Sequence, residues 1–161
     1  MSISGIGTLL VFLVLSLGAG GIGSYFTAKS VRTWYPTIRK PSWTPPNWLF
    51  APVWTVIYIL IAISGWLIWN HRETADITGI LLLYVLQLIL NTGWSGLFFG
   101  LKRPGLALSE ILVLWIMIGT YTVTAWSVSL PAALLFVPYW IWVTFATALN
   151  GAVWWLNRVE S

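Results

Sequence analysis

Cysteine is absent from all 161 residues, so disulfides, thiolate metal ligands and thiol nucleophiles are excluded. The single histidine, His71, gives no basis for a histidine-ligated metal centre. No nucleophile–base pair or cofactor fingerprint occurs, and neither a metal nor a cofactor is expected. Charge is scarce as well: Asp, Glu, Lys and Arg make up 7% of the chain, against roughly 25% in a typical soluble domain. Hydrophobic residues reach 58%, which leaves too little polar surface to clothe a soluble domain of this length. The net charge of +4 comes from basic residues in short breaks between apolar runs and points away from nucleic acid. Lipid is the solvent this composition suits, and the bilayer is the first partner it implies.

What the sequence does have is tryptophan, thirteen residues of it, and five long apolar runs. The runs lie at about Ile3–Thr27, Pro52–Trp69, Ile77–Phe99, Gly105–Trp126 and Leu130–Leu156. Each is near the roughly 20 residues that carry a helix across a bilayer core. Backbone groups in lipid must be satisfied within the segment, so the runs are helices. The expected fold is therefore an all-α integral membrane protein, a single five-helix domain over 1–161. Asn70-His71-Arg72-Glu73, Lys102-Arg103-Pro104 and Ser127-Val128-Ser129 break the later runs, and Pro131 suits the first turn of the fifth helix.

Five crossings put Lys29, Arg32, Arg39, Lys40, Lys102, Arg103 and Arg158 on one side and only Arg72 on the other. By the positive-inside rule the first loop and the C-terminus are cytoplasmic and the N-terminus is outside. The first run carries no Lys or Arg ahead of it and reads as a retained helix rather than a cleaved signal peptide. With short termini and no transit-type leader, a bacterial membrane is expected in preference to the mitochondrial outer membrane.

The loop at 29–51 is far longer than the roughly 2–8 residues usual between bundled helices. It holds Trp34, Tyr35, Trp43, Trp48 and Phe50 beside four prolines, Pro36, Pro41, Pro45 and Pro46. Prolines lower the entropy of ordering it, and the aromatic area favours folding it onto the bundle. A lid over a cavity is the preferred reading, an interfacial aromatic anchor the alternative.

In the third run Tyr84, Gln87, Asn91, Trp94 and Phe98 fall on one helical face, with both carboxamides of the run among them. Polar groups at membrane depth face the bundle interior or a cavity. Similar stripes are Trp54, Tyr58 and Ile61; Trp115, Gly119, Thr122 and Trp126; and Tyr139, Trp142, Ala146 and Asn150. Aromatics around one or two amides suit a planar, mostly apolar ligand. Ordinary packing accounts for any one tryptophan, whereas Trp54, Asn91 and Trp142 together favour a pocket. Trp66, Trp69, Trp154 and Trp155 lie near helix ends and read as interfacial anchors. Small-residue steps, Ala19 with Gly23 and Gly93 with Gly96 and Gly100, fit either a homodimer or packing within one chain. Glu110, an acid inside the fourth run, is either a proton-coupling carboxylate, as in a small exporter, or a group reaching back to the Lys102-Arg103 turn; the latter is preferred.

Motifs along nearly the whole chain resemble the TspO/MBR family (translocator protein, peripheral-type benzodiazepine receptor). Trp34-Tyr35, then Lys40-Pro41-x-Trp43-x-Pro45-Pro46-x-Trp48-x-Phe50-x-Pro52-x-Trp54 ending at Tyr58, is similar to its first-loop signature. Gln87-x-x-x-Asn91-x-x-Trp94 with Phe98-Phe99, and Pro138-Tyr139-x-x-Trp142-x-x-Phe145-Ala146-Thr147-x-Leu149-Asn150, look like its third- and fifth-helix motifs. The resemblance implies a five-helix bundle that binds porphyrins such as protoporphyrin IX, haem, sterols in some members, and synthetic benzodiazepine-type ligands beneath the first loop. A tetrapyrrole-binding receptor or transporter is the role it favours. Carried onto matching positions, Trp54 and Asn91 would hydrogen-bond the ligand, Trp142 and Ala146 would line the opposite wall, and Tyr35, Trp43, Tyr58, Trp94, Phe98 and Tyr139 would complete the wall or its lid. Some bacterial members degrade protoporphyrin in light and oxygen, which would make Trp54 and Trp142 catalytic. The sterol-recognition pattern of animal members needs a tyrosine near the end of helix five, and Leu149–Arg158 contains none, so a sterol is not the expected ligand.

Overall fold

The computed structural model describes residues 3–158. Among them are five helices long and apolar enough to cross a membrane, and no strands. The chain is an all-α, multi-pass integral membrane protein. Its helices are α1 (Ile3–Thr33), α2 (Phe50–Trp69), α3 (Thr78–Ser95, continued by a π-helical segment Gly96–Gly100), α4 (Pro104–Trp126) and α5 (Leu130–Asn157). Pro104 and Pro131 stand in the first turns of α4 and α5, where a missing N–H leaves no helical bond unmade. The Asp76 carboxylate accepts the Thr78 backbone N–H at 3.0 Å at the start of α3, and that bond holds its carboxyl below the usual carboxylate range.

The helices form a closed ring in the order α1, α2, α5, α4, α3. α1 is the least covered, with Val14 71% and Tyr25 80% exposed toward what would be acyl chains. Its inner face packs through small residues: the Tyr58 ring lies over Gly20, and Ser16 Oγ donates to the Tyr58 carbonyl at 2.7 Å. Gly23 meets the Ser95 side chain, and Phe26 lies against Gly96 and Gly100. The small residues flagged for a homodimer are thus engaged inside one chain.

Two departures from the sequence reading matter for the site. α1 runs to Thr33 rather than Thr27. Nothing in Ala28–Thr33 breaks a helix, and Ser30 Oγ donates to the Phe99 carbonyl at 2.5 Å, tying the extension to the end of α3. The connecting loop is correspondingly shorter, 34–46, followed by a 3-10 turn at Asn47–Leu49. The second departure is the π turn, where Leu101 N–H donates to the Gly96 carbonyl at 2.7 Å, five residues back.

The loop, the α3–α4 turn and the end of α5 share one end of the ring. Arg39 and Asn157, 118 positions apart, bond both ways: the Arg39 N–H donates to Asn157 Oδ1 at 3.0 Å, and Asn157 Nδ2 donates to the Arg39 carbonyl at 2.9 Å. Away from the loop the bundle is solidly packed around Ile61, Ile118, Tyr121 and Phe136, each with no exposed surface. There Tyr121 stacks on Phe136 at 3.8 Å, and Ser64 Oγ donates to the Ala132 carbonyl at 2.8 Å while accepting from Tyr121 Oη at 2.9 Å.

Gly65 tests this packing. A Cβ there would lie well inside contact distance of the Tyr84 and Phe12 rings, whereas one at Gly18 meets nothing. Gly65→Ala should destabilise the detergent-solubilised protein by about 1–3 kcal/mol in thermal unfolding, and Gly18→Ala should leave it unchanged or slightly raised.

Candidate functional site, a chamber in the loop half of the bundle

The loop half of the ring is hollow. A cavity of about 500 Å³ lies between α1, α2, α3 and α5 and reaches the loop. Its side walls are aromatic: Trp54 from α2, Trp94, Phe98 and Phe99 from α3 and its π turn, and Trp142 from α5. These rings brace one another. Trp94 stacks on Phe98 at 5.3 Å, Trp54 meets Trp142 edge-on at 6.5 Å, and Phe50 meets Trp142 at 5.9 Å. Phe98 and its neighbour Phe99 both line the cavity from the π turn.

The floor is a chain of hydrogen bonds that joins three helices. Tyr58 Oη donates to Asn91 Oδ1 at 2.5 Å, Asn91 Nδ2 donates to Tyr139 Oη at 2.9 Å, and Tyr139 Oη donates to Gln87 Oε1 at 3.0 Å. Gln87 Nε2 completes the run by donating to the Tyr84 carbonyl at 2.9 Å. Every polar group here is buried in the apolar span and finds a partner, as low dielectric demands. The Asn91 amide is therefore already engaged on both sides, which leaves one N–H and one oxygen lone pair of its capacity. A second amide, Asn150, accepts from Trp94 Nε1 at 2.9 Å and donates to the Pro104 carbonyl at 2.8 Å, which holds the Trp94 ring upright. Trp142 differs: its indole N–H is buried without a hydrogen-bond partner.

The roof comes from the loop. Tyr35 is buried against Phe98 and Phe99, with ring centroids at 6.4 and 5.7 Å, and burial pushes its phenol up from the ordinary value. Lys40 Nζ donates to the Tyr35 and Ile38 carbonyls at 2.6 and 2.9 Å and sits over the Tyr35 ring.

Of the expected residues, Tyr35, Trp54, Tyr58, Asn91, Trp94, Phe98, Trp142 and Ala146 line this one cavity. Two do not. Trp43 packs outside the walls against Phe145 at 5.8 Å, because the prolines around it carry the chain across the top of α5. Tyr139 lies beneath the floor, fully buried, and touches the chamber only through Asn91 and the edge of Trp54. The stripe on α4 is also absent from the lining: α4 stands on the far side of the ring, where Trp115 packs on Trp140 at 5.2 Å and donates to Thr144 Oγ1 at 2.7 Å. Glu110 lies apart from the chamber too. It makes no ion pair with Lys102 or Arg103 among the described residues; its carboxylate turns inward toward the bare Gly93 backbone of α3, with both oxygens buried and unpartnered.

The sequence reading missed α1. Gly20, Gly21, Ser24, Thr27, Ala28 and Arg32 recur at helical spacing and form one wall. The signal was a stripe of small and weakly polar residues, which in isolation reads as a packing face. Trp142 also backs onto a shallow apolar groove between α2 and α5 on the outer surface, beside Val53, Ile57 and Ile141. The Trp142 indole thus lines both the chamber and this groove.

The geometry defines a helical membrane protein with a partly open aromatic chamber capped by an inter-helix loop. The chain belongs to the TspO/MBR family, whose family model matches residues 10–156. Among its relatives, the tryptophan-rich protein TspO of Chlorobaculum tepidum is 42% identical over 152 residues, covering 93% of this chain and 96% of that protein. The protein CrtK of Rhodobacter capsulatus is 39% identical over 151 residues, covering 93% and 92%. The translocator protein of Bos taurus is 38% identical over 154 residues, covering 92% and 88%.

The floor makes a stability prediction. Tyr139→Phe removes the donor to Gln87 and the acceptor for Asn91, and should lower stability by about 1–3 kcal/mol in thermal unfolding. Tyr25→Phe, on the lipid face, should have no effect; equal melting for both variants would argue against a shared network.

Proposed function

We propose that this protein is a receptor-like membrane protein whose chamber binds flat, mostly apolar molecules of the tetrapyrrole class, with protoporphyrin IX and haem as the reference ligands. The observation that carries the reading is the chamber itself. Its volume falls within the roughly 300–1,000 Å³ of small-molecule sites, and aromatic walls stand over a hydrogen-bonding floor. Trp54 and Trp142 supply two indoles set edge to face, and Ala146 leaves room beside Trp142 for a ring to slide in. Asn91 offers its remaining hydrogen-bonding capacity from below, and the loop acts as the lid. The name translocator protein, borne by a relative, supports a role in moving such a ligand.

A second reading is oxidative breakdown of a bound porphyrin in light and oxygen. It is supported by the contact series Tyr58–Trp54–Trp142, oxidisable rings at 5.6 and 6.5 Å from one another. One experiment addresses both readings. Titration with protoporphyrin IX should quench tryptophan fluorescence saturably, and Trp142→Ala should weaken binding about tenfold or more. Illumination of the complex in air should then yield a defined product only if the chamber is catalytic, lost in Trp54→Phe and Trp142→Phe with binding retained. Bleaching no faster than free porphyrin leaves binding as the sole function.

The orientation we propose has the loop end of the bundle in the cytoplasm, supported by seven Lys and Arg at that end against Arg72 at the other. Because the chain has no cysteine, one introduced at Thr37 should resist a membrane-impermeant thiol reagent in intact cells, and one at Thr74 should label. The reverse pattern would invert the topology.

A further inference from the structure

Arg32 is the only charged side chain among the described residues that line the chamber. It stands on the same face of α1 as Gly21, Ser24 and Ala28, one turn beyond Ala28 toward the mouth. The extension of α1 past Thr27 is what places it there. Twelve residues separate it from Gly20 beside the Tyr58 floor, about 18 Å of helix axis at about 1.5 Å per residue. The chamber therefore has an apolar body, a hydrogen-bonding floor and a single cation at its opening.

None of the other Lys and Arg among the described residues lines the chamber. Lys40 is held by two loop carbonyls and the Tyr35 ring, and the Arg39 backbone is held by Asn157. The Arg32 guanidinium makes no ion pair among the described residues. Among those residues the acids are also remote: Glu73 and Asp76 lie at the opposite end of the bundle, and Glu110 faces Gly93 at the α3–α4 contact. No lining residue is acidic. A fork of five donors beside an apolar chamber, with no carboxylate among the described residues to satisfy it, matches a carboxylate brought by the ligand.

We infer that Arg32 anchors a carboxylate of the bound molecule, so that the chamber selects planar apolar acids over their neutral counterparts and orients them with the acidic edge at the mouth. The inference rests on the chamber being a ligand site, as proposed above, and adds to it the residue that sets ligand charge and direction. The flat body lies among Trp54, Trp94, Phe98 and Trp142, where stacking is indifferent to charge. Discrimination falls to the opening, where bidentate contact to guanidinium requires an ionised acid. Seating by the acidic edge also keeps the carboxylates in the polar zone of the membrane, so no anion has to enter the apolar half of the bundle.

The test compares protoporphyrin IX, whose two carboxylates share one edge, with its dimethyl ester, by tryptophan quenching of the full chain in nanodiscs. The wild type should bind the free acid about tenfold or more tightly than the ester, the discrimination expected of a charge-assisted pair. Arg32→Gln should weaken the acid to within about twofold of the ester, and an unshifted thermal-unfolding midpoint should show that the variant is folded. Arg32→Lys should retain part of the preference, having the charge without the fork. Equal binding of acid and ester by the wild type, or an undiminished preference in Arg32→Gln, would overturn the assignment of Arg32 alone. Failure of both compounds to quench the wild type would overturn the chamber as a tetrapyrrole site and this inference with it.

Discussion

The carboxamide of Asn91 is where the bundle is held together in its middle. It receives a hydrogen bond from Tyr58 of α2 and gives one to Tyr139 of α5, and Tyr139 passes the chain back to Gln87 of α3. In hydrocarbon none of these groups can turn to water, so breaking one bond strands its partner. The network fixes the spacing of three helices at one depth and divides the molecule into two halves. Beyond it the side chains are large and interlocked; before it the walls stand apart and the chamber opens.

Everything that shapes the chamber follows from keeping those walls apart and upright. Asn150 holds Trp94 by its indole N–H, Phe98 and Phe99 of the π turn join the wall, and Tyr35 closes the top. α1 contributes by what it lacks. Its glycines, alanine and small hydroxyl residues leave the volume that aromatic residues on the other helices enclose. An aromatic face on α1 would have filled the chamber and made the bundle an ordinary packed one.

Most of the architecture is legible in the amino-acid sequence. Apolar runs near twenty residues have no other use in so poorly charged a chain, and proline in the first turns of α4 and α5 marks their starts. The third-run stripe was readable because carboxamides in lipid must face inward, whatever else the helix does. Phase alone did not separate residues on the chamber from residues beneath or behind it. Tyr139 and Trp142 share a stripe, yet a single turn of helix puts one under the floor and the other in the wall. Trp115 of α4 belongs to an equally good stripe on a helix that the ring order places out of reach.

The sequence by itself determined the solvent, the number of crossings, the aromatic character of the interior and the positions of the buried amides, because each follows from the free energy of placing a residue type in lipid. Only the tertiary structure decided which helices face one another, that α1 rather than α4 forms the fourth wall, and that Arg32 reaches the opening. Those facts depend on contacts between residues distant in the chain, such as Ser30 with Phe99 and Arg39 with Asn157. No local periodicity encodes the partner of a helix face; packing volume and the pairing of buried polar groups select it when the bundle closes.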